Sequence, residues 1–189
     1  MLLGVALAAI VSLVGVTLAL RNALARERRL ARTDDVTGVR SARAFYEAAA
    51  MEIERSRRYQ HPFSVACVDL GTRVGDDLLR STAAALRSAL RATDLIARLG
   101  RDEFIVLMPE TPAAATKIVL EKLRTALSDV RTADGRPMRT SIGGVTFVDP
   151  PAGVDDIVRA ADGRISDAKA TGQISHLAWS ATPSPAEGR

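Results

Sequence analysis

An uncharged stretch at the start sets the first limit on this chain. From Leu2 to Leu20 no side chain carries a charge. As a helix those residues span roughly 28 Å at about 1.5 Å per residue, close to the hydrocarbon thickness of a bilayer. A helix also satisfies every backbone polar group internally, which lipid demands. No basic residue precedes the run, whereas Arg21, Arg26, Arg28, Arg29 and Arg32 follow it. The positive-inside rule therefore places the N-terminus outside and the remainder in the cytoplasm. The expectation is a single-pass transmembrane helix over residues 1–20 in the inner (cytoplasmic) membrane. A cleaved signal peptide would need Lys or Arg ahead of the apolar run, and its small-x-small candidate, Ala23-Leu24-Ala25, lies beyond Arg21.

Residues 21–32 are rich in Ala, Leu, Arg and Glu and read as a basic juxtamembrane linker helix. Leu20, Leu24 and Ala31 share one side, which would suit helix pairing. A solvated basic stalk against anionic lipid accounts for the segment equally well. Its five arginines against Glu27 give a net charge of +4, the formal net charge of the whole chain. The rest sums to zero and offers no electrostatic footprint for DNA or RNA, so no nucleic-acid partner is expected. The single cysteine, Cys67, excludes an intramolecular disulfide and reads as a small buried hydrophobe within Phe63–Val68. His61 and His176 have no companions at zinc-ligand spacing.

Beyond the linker, helical and strand patterns alternate. Ser41–Gln60 has helical spacing with Phe45, Ala49 and Ile53 on one face, and Phe63–Asp69 is a short apolar strand introduced by Pro62. Gly71 and Gly75 mark a loop before a helix over Asp76–Arg91, with Leu78, Leu79, Thr82, Leu86 and Leu90 inward. Leu95–Leu99 and Glu103–Met108 flank a turn at Gly100-Arg101-Asp102 and read as a hairpin. A helix over Pro112–Asp129, a turn at Asp134-Gly135, a strand over Met138–Val148, a helix over Val154–Thr171 and a last strand over Ile174–Trp179 follow. The Pro-, Ser- and Ala-rich end, residues 179–189, reads as a disordered tail. Alternation around one hairpin predicts helices packed on a sheet, α/β or α+β.

Four segments, in order, resemble the GGDEF (diguanylate cyclase) family. Asp34-Asp35-Val36-Thr37-Gly38-Val39 is similar to its D-x-L-T-G-L turn, and Arg43-Ala44-Phe45 to the R-x-F that follows. Arg98-Leu99-Gly100-Arg101-Asp102-Glu103-Phe104 resembles the signature hairpin R-x-G-G-D-E-F. Thr140-Ser141-Ile142-Gly143 resembles T-x-S-I-G, and Ala161-Asp162 through Ala168-Lys169 and Gly172 the A-D-x-A-L-Y-x-A-K-x-x-G-R helix. The resemblance covers residues 33–178. It implies an α+β domain with a palm-like central sheet of about five strands, mainly antiparallel, with helices packed around it.

In that family two GTP-loaded domains face each other and join their substrates into cyclic di-GMP. A second copy, or another GGDEF protein, is therefore the implied protein partner. The chemistry needs carboxylates to hold Mg²⁺ or Mn²⁺ on the triphosphate, and bare backbone where phosphates approach. The resemblance assigns catalytic and metal-binding roles to Asp69, Asp102 and Glu103. It assigns substrate contacts to Asp76, Gly100, the position of Arg101, and Lys169. By themselves, Asp69 also reads as a strand-ending residue that caps a turn, and Asp76 as a helix N-cap.

The pattern breaks in three places. The family runs D-x-D-x-F-K-x-x-N-D-x-x-G-H-x-x-G-D where this chain has Asp69-Leu70-Gly71-Thr72-Arg73-Val74-Gly75-Asp76. Ten residues are missing, among them the Asn that reads guanine and the Phe-Lys that supports the phosphates. Arg101 replaces the second signature glycine. At a φ > 0 position it would be strained, by on the order of 1–2 kcal/mol, and its side chain would crowd the phosphates or grip one. On the last helix Ser166 and Gln173 replace the tyrosine and the arginine. Arg91-Ala92-Thr93-Asp94, in contrast, resembles the intact R-x-x-D site at which the family binds cyclic di-GMP. The leading expectation is a degenerate domain without cyclase activity that senses cyclic di-GMP through Arg91 and Asp94. The alternatives are an active cyclase using Mg²⁺ or Mn²⁺, and a purely structural dimerisation or docking module.

Overall fold

The computed structural model describes residues 31–71, 74–172 and 174–179. The expected transmembrane helix, nearly all of the linker helix, the substitution at Gln173 and the tail after Trp179 lie outside them. Among the described residues no helix is long and apolar enough to cross a membrane.

The elements run β1 (Arg40–Ser41), α1 (Ala42–Tyr59), β2 (Phe63–Asp69), α2 (Asp76–Ala89), β3 (Leu95–Arg98), β4 (Glu103–Met108), α3 (Ala113–Ser128), β5 (Ser141–Phe147), α4 (Val154–Thr171) and β6 (Ser175–Trp179). One sheet has the order β1-β3-β4-β2-β5-β6. The β3–β4, β4–β2 and β2–β5 pairs are antiparallel, and the outer pairs β1–β3 and β5–β6 are parallel. The fold is thus α+β with six strands rather than about five. The extra strand, Arg40–Ser41, is two residues long and too short to show a periodicity.

Every residue of β2 is buried because both sheet faces are covered. Phe63, Val65 and Cys67 point to the layer of α1 and α4, where Phe45, Ile53, Ile157 and Ile165 meet them. Ala66 and Val68 point to the layer of α2 and α3, with Leu79, Leu86, Leu120 and Leu123. Burial pushes the Cys67 thiol far above its ordinary pKa, so it remains an uncharged filler. Leu78 and Leu90 are only half-buried at the edge of the second layer.

Several boundaries differ from the sequence reading. β5 begins at Ser141, not Met138, because residues 131–137 form their own turn, with Gly135 at φ +77. α2 ends at Ala89, so Arg91 lies in the following turn and not on the helix. The last strand begins at Ser175, not Ile174, and ends at Trp179 as expected; Trp179 pairs with Phe147, and its ring lies 6.2 Å from the Phe147 ring.

β5 sets the position of α4. A Cβ at Gly143 would lie 2.7 Å from the backbone carbonyl carbon of Arg164 and 2.8 Å from the Ile165 nitrogen. The bare glycine therefore lets α4 pack directly on β5, and Gly172 at φ +67 caps its C-terminus.

Candidate functional site

The register of β2 builds the site. Asp69 ends the strand and pairs with Glu103 on one side and Ser141 on the other. α4 carries Lys169 over this edge, and its Nζ lies 2.7 Å from Asp69 Oδ2. Asp69 Oδ1 accepts the Gly71 amide at 2.9 Å, with Gly71 at φ +76. Asp69 thus caps the turn after β2, as one reading of it expected, and stands beside the signature hairpin. The Leu70 amide donates to the Asp102 carbonyl at 3.0 Å and ties that turn to the hairpin.

The electrostatics follow from the crowding of acids. Burial raises the Glu103 carboxyl above the usual range, Asp69, Asp162 and Asp102 raise it further, and Lys169 opposes them. The hydrogen bond to Asp69 raises the Lys169 ammonium above its ordinary value despite some burial, and the charges of Asp69, Glu103 and Asp102 add to this. Lys169 stays protonated throughout the physiological range.

The hairpin turn is held from below by Arg98. Its Nε donates to the Gly100 carbonyl at 3.0 Å and its Nη2 to the Arg101 carbonyl at 2.7 Å. Nη1 meets the Asp34 carboxylate at 3.3 Å. Burial works against the Asp34 charge, but the Thr37 hydroxyl, the Thr37 amide and Arg98 outweigh it and hold the carboxyl below the usual range. The sequence shows Asp34 and Arg98 only as parts of separate motifs; their pairing across 64 positions is a tertiary fact.

Two expectations for the pocket are corrected. Arg101 is not strained: the positive-φ residues other than glycine among those described are Gln60 and Glu110. The turn passes its second position without the left-handed region, so arginine costs no backbone energy there. Asp76 is not the N-cap of α2: Gly75 holds that place without a side-chain cap, and Asp76 is the first helical residue. Asp76 and Asp77 favour the helix end electrostatically and face Arg80.

Two open clefts flank the hairpin and share Asp102. One, of about 760 Å³, is lined by Asp69, Lys169, Thr132 and Arg139 among others. The other, of about 820 Å³, is lined by Asp76, Leu79, Arg98 and Arg101. Gly100 sits at the turn, where a Cβ would stand 3.4 Å from Glu103 Oε2. The structure therefore gathers Asp69, Glu103 and Lys169, puts Asp102 between the clefts, and leaves Asp76 and Arg101 in the second cleft. The carboxylates that would hold the implied Mg²⁺ or Mn²⁺, with substrate phosphates completing its shell, are Asp69 and Glu103, which the β2–β4 register brings side by side. The lysine ammonium bonds one oxygen of Asp69, and no group of three acidic, His or Cys side chains among the described residues is arranged to hold a metal ion by itself.

Arg91 and Asp94 lie elsewhere, at the other end of β3, about 13 Å of strand from the hairpin at about 3.3 Å per residue. Asp94 Oδ2 accepts the Arg91 amide at 2.9 Å, and the Asp94 amide donates to the Arg91 carbonyl at 3.1 Å. The turn is closed by these bonds and not by an Arg91–Asp94 ion pair. The Arg91 side chain is exposed.

Comparison with known proteins agrees with this geometry. The family described as "Diguanylate cyclase, GGDEF domain" matches residues 31–175. The response regulator PleD of Caulobacter vibrioides is 32% identical over 173 residues, covering 82% of this chain and 37% of PleD. The chain spans only 25% of the diguanylate cyclase DgcP of Pseudomonas aeruginosa and 37% of PleD. Among solved structures, diguanylate cyclase SiaD of Pseudomonas aeruginosa, in complex with its activator SiaC, is 26% identical with a TM-score of 0.70, covering 89% of this chain and 72% of that one. The GGDEF domain of DgcB from Caulobacter crescentus, in complex with c-di-GMP, shares the fold at a TM-score of 0.68 and 19% identity, covering 77% of this chain and 92% of that one. With its signature hairpin, its sheet order and this match, the chain belongs to the GGDEF family.

Proposed function

We propose that this chain is a membrane-anchored GGDEF domain without cyclase activity that acts in cyclic di-GMP signalling as a receptor, through Arg91 and Asp94. The observation that carries the loss of catalysis is the short step from β2 to α2. β2 ends at Asp69 and α2 begins at Asp76, leaving six residues where the family pattern has room to read guanine and support phosphates. Arg101 on the wall of the neighbouring cleft points the same way. Catalysis depends on placement to within about an ångström, which so reduced a pocket does not provide.

The receptor half rests on the Arg91–Asp94 turn. It is closed by the Asp94 carboxylate on the Arg91 amide and the Asp94 amide on the Arg91 carbonyl, it lies at the end of β3 away from the hairpin, and Arg91 is exposed. A guanidinium fork pairs with a phosphate or with the acceptor edge of guanine. The anchor rests on the uncharged run at residues 2–20 and the arginines after it.

The test uses the full chain in detergent. Incubated with GTP and Mg²⁺ or Mn²⁺ it forms no cyclic di-GMP by nucleotide chromatography; product that Asp102→Ala abolishes would overturn the non-catalytic reading. Calorimetry with cyclic di-GMP gives binding that Arg91→Ala weakens by about tenfold or more, the equivalent of about 1.4 kcal/mol. Arg91→Lys fails nearly as badly because an ammonium lacks the planar fork. No heat from the wild type well above micromolar ligand replaces the receptor with a docking module, its partner a second copy or another GGDEF protein. A C-terminal reporter active only in the periplasm would remove the proposed orientation.

A further inference from the structure

A line of buried hydroxyls crosses the sheet and ends on the imidazole of its outermost strand. Ser64 on β2, Thr146 on β5 and Thr116 on α3 are fully enclosed. Ser64 Oγ donates to the Thr111 carbonyl at 2.7 Å and Thr116 Oγ1 to the Pro112 carbonyl at 3.0 Å, which uses two of the three hydroxyl protons. Only the Thr146 proton is left for the Ser64–Thr116, Ser64–Thr146 and Thr116–Thr146 contacts, at 2.6, 2.8 and 3.0 Å. Thr146 Oγ1 also lies 3.0 Å from His176 Nε2. If that nitrogen accepted, the last proton would be spent on it, and buried oxygens would face one another with none between them. A proton on Nε2 frees Thr146 to donate to Ser64 or Thr116. The cluster therefore calls for an imidazole that donates, and leaves Nδ1 as the place where acid adds a second proton.

The ring has little shelter for the charge that the second proton brings. A Cβ on Gly144, its partner in register, would lie 3.4 Å from His176 Cδ2 and 2.7 Å from the Leu120 side chain, so the ring sits close over bare backbone beside a leucine. From β5 it faces Gly144 and Thr146, which carry no charge; from α3 Lys117 bears on it; α4 packs on the opposite face, against Gly143. Burial and Lys117 hold the ring below its ordinary value. β6 ends the sheet, is five residues long and pairs with β5, so it can open without the inner strands.

We infer that His176 is a pH-sensitive latch for the outermost strand: neutral, it gives the hydroxyl cluster its missing proton and holds β6 on β5; protonated on both nitrogens, it lets β6 open while the rest of the sheet stays closed. The sign follows from the lowered ring. A released imidazole binds its proton more readily than a latched one, so the stability that β6 draws from the neutral ring is full above the released value and is lost as pH falls through it toward the latched one.

Trp179, the single tryptophan, lies on β6 with its ring 6.2 Å from that of Phe147, and so reports on the strand. The experiment titrates the full chain in detergent from about pH 8 to about pH 5, the range in which imidazole takes up its proton. Trp179 emission and its quenching by acrylamide are followed beside far-ultraviolet circular dichroism. The expected result is a one-proton step in which emission shifts to the red and quenching rises while the helical signal holds. His176→Gln keeps an N–H for Thr146 and never charges, so its emission stays flat. His61→Gln, at the other of the two histidines, keeps the step. Lys117→Met moves the step to higher pH. A flat wild type, a step that survives His176→Gln, or a step that coincides with loss of the helical signal overturns the inference. If His176→Gln does not fold, Lys117→Met decides, and a step that it leaves unmoved overturns the latch. Nitrogen-15 shifts that put the neutral ring's proton on Nδ1 overturn it as well.

Discussion

Replacing Gly143 by alanine tests whether the backbone contact between β5 and α4 holds the site together. The added Cβ would lie 2.7 Å from both the carbonyl carbon and the Cβ of Arg164, and 2.8 Å from the Ile165 nitrogen. Non-bonded carbons are comfortable at about 3.5–4.0 Å, so α4 must retreat by roughly 1 Å. Two of the three clashing atoms are helix backbone and cannot rotate aside. Overpacking of this kind costs about 1–3 kcal/mol. In a domain of this size each kcal/mol lowers the melting midpoint by roughly 3 °C, so a loss of roughly 3–9 °C is expected. A retreat of that size also stretches the 2.7 Å bond from Lys169 to Asp69 beyond hydrogen-bonding range. Calorimetric melting of Gly143→Ala beside Gly163→Ala is the assay. Gly163 lies within the same helix with nothing within 4 Å of its would-be Cβ. There alanine should stabilise by about 0.5–1 kcal/mol through the smaller entropy of the unfolded chain. A Gly143→Ala protein that melts at or above the wild type would refute the reasoning.

Three further outcomes are expected. Ser64→Ala removes a buried hydroxyl that donates to the Thr111 carbonyl at 2.7 Å and contacts Thr116 and Thr146, and should cost about 1–3 kcal/mol in chemical denaturation. Glu103→Gln should stabilise the domain at neutral pH. The raised Glu103 carboxyl favours the folded state only while protonated, and that advantage is lost as pH rises through its folded value, so the gain over wild type should vanish in acid. Asp34→Asn should destabilise at neutral pH. The lowered Asp34 carboxyl contributes above its unfolded value and loses that contribution as pH falls through the folded one, so the two proteins should converge in acid melts.

The helices were legible because their apolar spacing is long enough to repeat. Val154–Thr171 emerges with the predicted ends, and α1 differs from its prediction by one residue at each end. The hairpin was legible because β4 runs apolar from Phe104 to Met108 right after a polar turn. β1 was not, since two residues carry no period, and the N-terminal limit of β5 was not, since Met138 is buried by contacts outside the sheet. Whether Arg101 stands at a positive φ was not legible either, since φ depends on how the whole turn closes, here with Arg98 donating to the carbonyls of Gly100 and Arg101.

From the sequence alone came the family, the shortened step from Asp69 to Asp76, the offset of Arg91 from the hairpin, and the expectation of a membrane anchor, because each of these is a matter of residue type and spacing along the chain. The tertiary structure decided what those residues do to one another. It set Lys169 against Asp69 across 100 positions, Asp34 against Arg98, and the Asp94 carboxylate on the Arg91 amide instead of on its guanidinium. Spacing along the chain records which charges are present. Which charge neutralises which is decided only when strands and helices bring them to within about 3 Å, where a hydrogen bond forms and a carboxylate can have one close partner in place of another.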